Sequence, residues 1–175
     1  MSTAKPNAML TAIILAICRN TKTPAVQYLP SNEVVISGIH PSDEGRLIGK
    51  KGTVFRAMAT LHFFACRALG LEQRVIQPLE TNERIDIHRS ATFLPKMDWD
   101  KTPVTDLIES VLSTCYPTAA WAMERDGEDI TVRIQISKAL KPDPLDPSFE
   151  IALDTVIHGA GKSCGVSLHT IVSWV

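Results

Sequence analysis

The chain has 175 residues, of which 45% are hydrophobic and 21% charged, with a formal net charge of −1. That length holds one domain or two small ones; the composition excludes a disordered chain, and the near-zero charge argues against non-specific polyanion binding. The average hides a split, because residues 1–90 carry 11 basic and 7 acidic residues (+4) while residues 91–175 carry 7 and 12 (−5), so only the first half suits a polyanion unless both are ordinary surfaces.

Residues 1–8 read as a short polar arm. Leu10, Ile13, Ile14 and Ile17 then fall at i, i+3, i+4 and i+7, one face of a helix over about 9–19. The apolar run Met9–Cys18 has signal-peptide length, and Leu15-Ala16-Ile17-Cys18 loosely matches a lipoprotein cleavage site. Ile17 is bulky where a small residue is needed, however, and the run is too short to span a bilayer. A domain helix, no membrane and a cytoplasmic location are the expectation. Ala25–Leu29 is a strand candidate, Pro30 to Glu33 supply turn chemistry, and the β-branched run Val34–Ile39 predicts a central strand.

Ser42 or Asp43 can cap a short helix over about 43–48. The turn Gly49-Lys50-Lys51-Gly52 follows, then a long helix Thr53–Leu69 stopped by Gly70, with Val54, Met58, Leu61, Ala65, Ala68 and Leu69 as its apolar stripe. Glycines let backbone approach a ligand closely, and a turn that opens a helix presents free N–H groups where the helix dipole favours an anion. Two lysines between the glycines add positive charge. Arg74–Leu79 predicts a closing strand, and Arg84–His88 an antiparallel partner reached through Thr81-Asn82. Residues 91–103 carry two prolines and no periodicity and read as a connector, with Phe93, Leu94, Met97 and Trp99 suited to packing on a domain.

The second half begins with a helix marked by Val104, Leu107, Ile108, Val111, Leu112 and Cys115. Two strands, Ala120–Arg125 and Ile130–Ser137, flank a turn at Asp126-Gly127; a proline-rich stretch, a helix over about 148–160 and a final strand Val166–Val175 complete it. A shift of about 95 residues superimposes the two patterns without gaps: Val35, Ser37 and Ile39 fall on Ile130, Val132 and Ile134, and Val54, Met58 and Leu61 on Phe149, Leu153 and Val156. Under that shift Gly49-Lys50-Lys51-Gly52 falls on Pro144-Leu145-Asp146-Pro147, where prolines donate no N–H and an aspartate repels phosphate.

Residues 9–79, through the stretch Val35 to Gly52, resemble a type II KH domain, of the kind found in small KhpA-type bacterial proteins and, second, in NusA-like tandem modules. The resemblance implies an α+β fold, α-β-β-α-α-β; for residues 104–175 the likeness rests on the internal repeat alone, which predicts a degenerate KH-like α-β-β-α-β unit without the Gly-x-x-Gly turn. In that family the turn holds the backbone of about four single-stranded nucleotides, with bases in a narrow apolar groove. It implies phosphate contacts from Gly49, Lys50, Lys51 and Gly52, with Arg46, Leu47, Ile48, Thr53 and Arg56 along the groove. Phe55, Phe63 and Phe64 make the helix bulkier than that pattern; Phe55 suits core packing better than stacking on a base.

The expectation is a non-enzymatic protein that clamps single-stranded RNA, ribosomal or messenger, within a ribonucleoprotein, with the acidic half making protein contacts. The alternative is a protein-interaction subunit that keeps the fold without RNA binding. Cys18, Cys66, Cys115 and Cys164 form no C-x-x-C pair or zinc spacing and read as reduced thiols; no metal or cofactor is expected. His158-Gly159-Ala160-Gly161-Lys162-Ser163 lacks the first glycine of a P-loop, since Val156 holds that place, and reads as a helix-terminating loop. The histidines, including His88 beside Asp86, assemble into no catalytic set.

Overall fold

The computed structural model describes residues 3–79, 100–141, 143 and 145–175. The expected strand Arg84–His88 and the aromatic residues of the connector lie outside them. Helix α1 (Ala4–Ile17) starts at Ala4 rather than near residue 9, because Pro6 sits in its first turn, where a missing N–H breaks no bond. Strands β1 (Ala25–Tyr28) and β2 (Glu33–Ser37) pair antiparallel, with Val26 opposite Ile36. Helix α2 (Pro41–Ile48) leads into a single 3-10 turn over Lys50–Gly52 and then α3 (Thr53–Ala68). Strand β3 (Val75–Ile76) runs parallel to β2 and is shorter than expected. Its amides at Val75 and Gln77 bond Asn32 and Val34, and Pro78 has no N–H to carry the ladder on.

Helix α4 (Thr102–Cys115) takes in the end of the expected connector, with Pro103 in its first turn. Strands β4 (Ala120–Asp126) and β5 (Asp129–Ile136) form a hairpin turned at Gly127, whose φ is +63°. Helix α5 (Ser148–Cys164) ends on Gly165 in the left-handed region, and β6 (Ser167–Trp174) pairs parallel with β5. The fold is α+β. Each half has a three-stranded sheet, ordered β1-β2-β3 and β4-β5-β6, with one antiparallel and one parallel pairing.

The burial pattern corrects the repeat. Buried Pro6, Met9, Leu10, Ile13, Ile14, Ala16 and Ile17 match Val104, Leu107, Ile108, Val111, Leu112, Thr114 and Cys115, a shift of 98. Val54, Ala57, Met58, Leu61, His62, Ala65 and Cys66 match Phe149, Ala152, Leu153, Val156, Ile157, Ala160 and Gly161, a shift of 95. The halves therefore differ by three residues between their helices. One of the three lies in the hairpin turns, where residues 30–32 stand against 127–128. A gapless comparison kept the long helices in register and slipped the first helices and the central strands, where Val34 and Ile36, not Val35 and Ser37, are the buried counterparts of the Ile130 face.

The halves pack through their helices. α1 lies on α4 and α3 on α5, while α1 also meets α5 and α3 meets α4. The sheets cover the outer sides, giving layers of sheet, helices, helices and sheet around one continuous buried cluster. The contacts are reciprocal. Phe64 meets Phe149, the counterpart of Val54, with ring centroids 5.4 Å apart, and a Cβ at Gly159, the counterpart of Phe64, would lie 3.9 Å from Val54 Cγ2. Pairs that exchange roles in this way are the mark of a two-fold interface, here closed within one chain.

Candidate nucleic-acid interface

The turn between α2 and α3 is built from backbone that ordinary residues avoid. Gly49 has φ +75° and ψ 171°, a region open in practice only to glycine, and Gly52 is left-handed at φ +75° and ψ 18°. A Cβ at Gly49 would lie 2.6 Å from Val54 Cγ2 and 2.8 Å from Val54 N. Lys51, which has a Cβ, is also left-handed at φ 54° and ψ 30°, at a cost of about 1–2 kcal/mol. Arg56, one turn into α3, offsets that strain by donating from Nη1 to the Lys51 carbonyl at 2.9 Å.

No side chain caps the start of α3, whose N-cap residue is Gly52. The Thr53 N–H is taken by the Lys50 carbonyl, and the N–H groups that follow it in the first turn carry the positive end of the helix dipole with no side chain capping them. Lys50 and Lys51 flank them and are exposed, as are Thr53 and Arg56, and Arg46 and Ile48 are half-buried beside them. Leu47 does not line a groove: it is fully buried in the core, on the inner face of α2, and cannot touch a ligand there. Phe55 is partly buried against the same core.

Asp43 holds this corner together in a way the sequence does not advertise. It does not cap α2; that place belongs to His40, whose ring Nδ1 accepts the Ser42 N–H at 3.3 Å. Fully buried, Asp43 instead accepts backbone N–H groups from Arg19 (3.1 Å), Asn20 (2.8 Å) and Thr21 (2.7 Å), and the Thr21 hydroxyl (2.9 Å). Burial pushes its carboxyl up, but these bonds outweigh burial and hold it below the ordinary carboxylate value. The carboxylate thus pins α2, and the turn after it, to the end of α1.

The second half contrasts at the equivalent place. Asp146 Oδ1 accepts the Ser148 N–H at 2.9 Å and also the Ser148 hydroxyl, so α5 carries its own anion where α3 has no capping side chain. Those bonds lower the Asp146 carboxyl, which is exposed. His158 to Ser163 do not end α5 but lie inside it. Their glycines serve packing: a Cβ at Gly161 would come within 2.9 Å of Leu168 Cγ, and Gly159 lets α5 approach Ile17 and Val54. Ser163 donates from its hydroxyl to the Ile17 carbonyl.

The four cysteines are free; Cys18, Cys66 and Cys115 are buried and Cys164 half-buried. Burial pushes the Cys18 and Cys115 thiols up to about 12, so they pack as apolar groups. His62 is buried in α3 beside Tyr28, whose hydroxyl is 3.1 Å from Nε2. Burial first, and Arg74 second, lower it to about 4, so it is neutral at pH 7. No helix among the described residues is long and apolar enough to cross a membrane. Comparison with protein-family models, with curated proteins and with solved structures gave no match.

Proposed function

We propose that the chain is a type II KH protein that binds single-stranded RNA at one place, the turn Gly49–Gly52. One observation carries the reading: the uncapped start of α3, approached by a turn whose Gly49, Lys51 and Gly52 are all at positive φ and whose lysines are exposed. Such a turn suits a phosphodiester, because it offers amide donors, a helix dipole and two mobile cations without a side chain in the way. The strand order and the parallel β2–β3 pairing are compatible with it. Asp146 on the second helix start is the reason to propose a single site. In this reading the acidic half closes the core against the first and leaves its outer sheet face for a protein partner.

The test is Lys50→Asp with Lys51→Asp, both exposed and therefore compatible with folding. RNA affinity should fall at least about a hundredfold, since two charge-assisted contacts become repulsions. The wild-type salt slope should be shallow, about −0.7 for each phosphate contacted. A double variant that binds single-stranded RNA as tightly as wild type sinks the clamp. Wild-type protein that binds no RNA but co-purifies with a protein supports the interaction-subunit reading instead.

A further inference from the structure

The positive charge of the first half is not confined to the Gly49–Gly52 turn. Asp43 takes the amides of Arg19, Asn20 and Thr21, which fixes the chain leaving α1 against α2. Arg46 follows Asp43 by one helical turn, at the end of α2 that leads into the Gly49–Gly52 turn. Burial raises the Cys18 thiol, and the weaker opposing pull of Arg46 places its guanidinium near the end of α1. Lys22 folds back until its Nζ lies 3.5 Å from the Arg19 carbonyl oxygen. Arg46, Arg19 and Lys22 thus continue, away from the turn, the cations that Lys50 and Lys51 begin.

None of these five side chains makes an ion pair among the described residues. Carboxylates along the same stretch are few. Asp43 is buried and spent on its four donors, Glu44 follows it on α2, and Asp100 shares with Arg19 and Lys22 the lining of a depression of about 390 Å³. With Arg56, six cations stand against these three carboxylates. Like charges held together repel one another and favour a ligand of opposite sign. The second half shows that the fold has no need of them. The shift of 98 that relates α1 to α4 sets Pro117 at the place of Arg19 and Ala120 at that of Lys22. A depression of about 580 Å³ beside Pro117 is lined by Asp106 and Glu109 and by no cation among the described residues. Cations spread from the turn across two elements suit a chain of phosphates better than a single one.

We propose that the single-stranded RNA held at Gly49–Gly52 runs on past Arg46 and lays its next phosphates on Arg19 and Lys22. This path rests on the reading of the turn as an RNA clamp and adds where the strand goes from there. Contacts of this kind fix the strand's course and raise affinity without reading bases.

The experiment titrates dye-labelled tetranucleotide and octanucleotide RNA pools of mixed sequence with the full chain, over a range of salt, and reads fluorescence anisotropy. Arg19→Gln with Lys22→Gln should weaken the octanucleotide roughly tenfold and leave the tetranucleotide, which the turn alone spans, within about twofold of wild type. The octanucleotide salt slope should become shallower by about 1.4, two contacts at about 0.7 each. Lys22→Gln alone, an exposed change compatible with folding, should weaken the octanucleotide about threefold. Arg125→Gln with Lys138→Gln, which removes the same charge from exposed positions of the second half, should change neither length. A wild-type chain that binds neither pool takes the clamp down and the path with it. A wild-type chain that binds both pools overturns the path alone if the Arg19 and Lys22 variants keep its octanucleotide affinity and salt slope. The path is equally overturned if those variants weaken both lengths alike, or if the Arg125, Lys138 variant weakens the octanucleotide as much.

Discussion

Replacing Asp43 by alanine tests whether one buried carboxylate sets the corner that carries the turn. The side chain accepts four hydrogen bonds, two of them from Thr21, which is itself 3% exposed. Hydrogen bonds to a charged group contribute about 1.5–3 kcal/mol each, and a donor left buried costs about 1–3 kcal/mol. The Arg19 and Asn20 amides lie closer to water, which replaces most of their loss. Counting mainly the two Thr21 donors gives a destabilisation of about 4 kcal/mol, a large share of the roughly 5–15 kcal/mol of a typical domain. Asp43→Asn should cost less, about 2 kcal/mol, because the amide carbonyl oxygen can still take the Thr21 pair while the new NH₂ faces the Arg19 N–H. Urea unfolding at pH 7, followed by circular dichroism and extrapolated to water, measures both. The pH dependence gives a second check. A carboxyl lowered in the folded state stabilises above its ordinary value of about 3.9 and loses that contribution as pH falls through the folded value. Asp43→Ala should flatten the stability curve in that acid range. A loss below about 1 kcal/mol, or an unchanged acid slope, refutes the reasoning.

Two further outcomes follow from the same core. His62 is held neutral at a folded value of about 4 against an ordinary 6.5, so between those values the unfolded chain binds the extra proton. Stability should therefore be full above pH 6.5 and fall by up to about 3 kcal/mol as pH drops towards 4, a slope that His62→Gln removes in urea titrations across that range. Gly49→Ala should destabilise by about 2–4 kcal/mol through its positive φ and the clash with Val54, whereas Gly45→Ala, in helix α2 with nothing within 4 Å of its Cβ, should stabilise by about 0.5–1 kcal/mol. Thermal melts of the pair check both signs, and two equal shifts would contradict the geometry of the turn.

Periodicity made the elements legible, because each helix buries one stripe and each longer strand alternates. Leu10, Ile13, Ile14 and Ile17 mark α1 without knowledge of what covers them, and all are buried. Element ends were less legible, since Pro6 and Pro103 start helices while Pro78 ends a strand, and only the backbone partners decide which. The turn could be located from its glycines, but its neighbours could not be sorted. Leu47 and Ile48 read alike in sequence, and α2 turns the first inward. Asp43 looked like a cap because caps are local; its true partners lie 22 to 24 residues upstream. The cluster of Phe64, Tyr116, Phe149 and Trp174 left no trace for the same reason, as its rings meet only when distant parts of the chain close on one another.

The reciprocal packing of the halves bears on the order in which the chain is made. The half with the turn leaves the ribosome before the half that covers its helices. Until α5 has emerged, Ile17 and Val54 lack the close approach of Gly159, and Phe64 lacks Phe149. The apolar faces of α1 and α3 are therefore finished only once the second half has been made. Cooperative closure comes late, and a nascent chain stopped before α5 carries an open helical face, a natural ligand for chaperones.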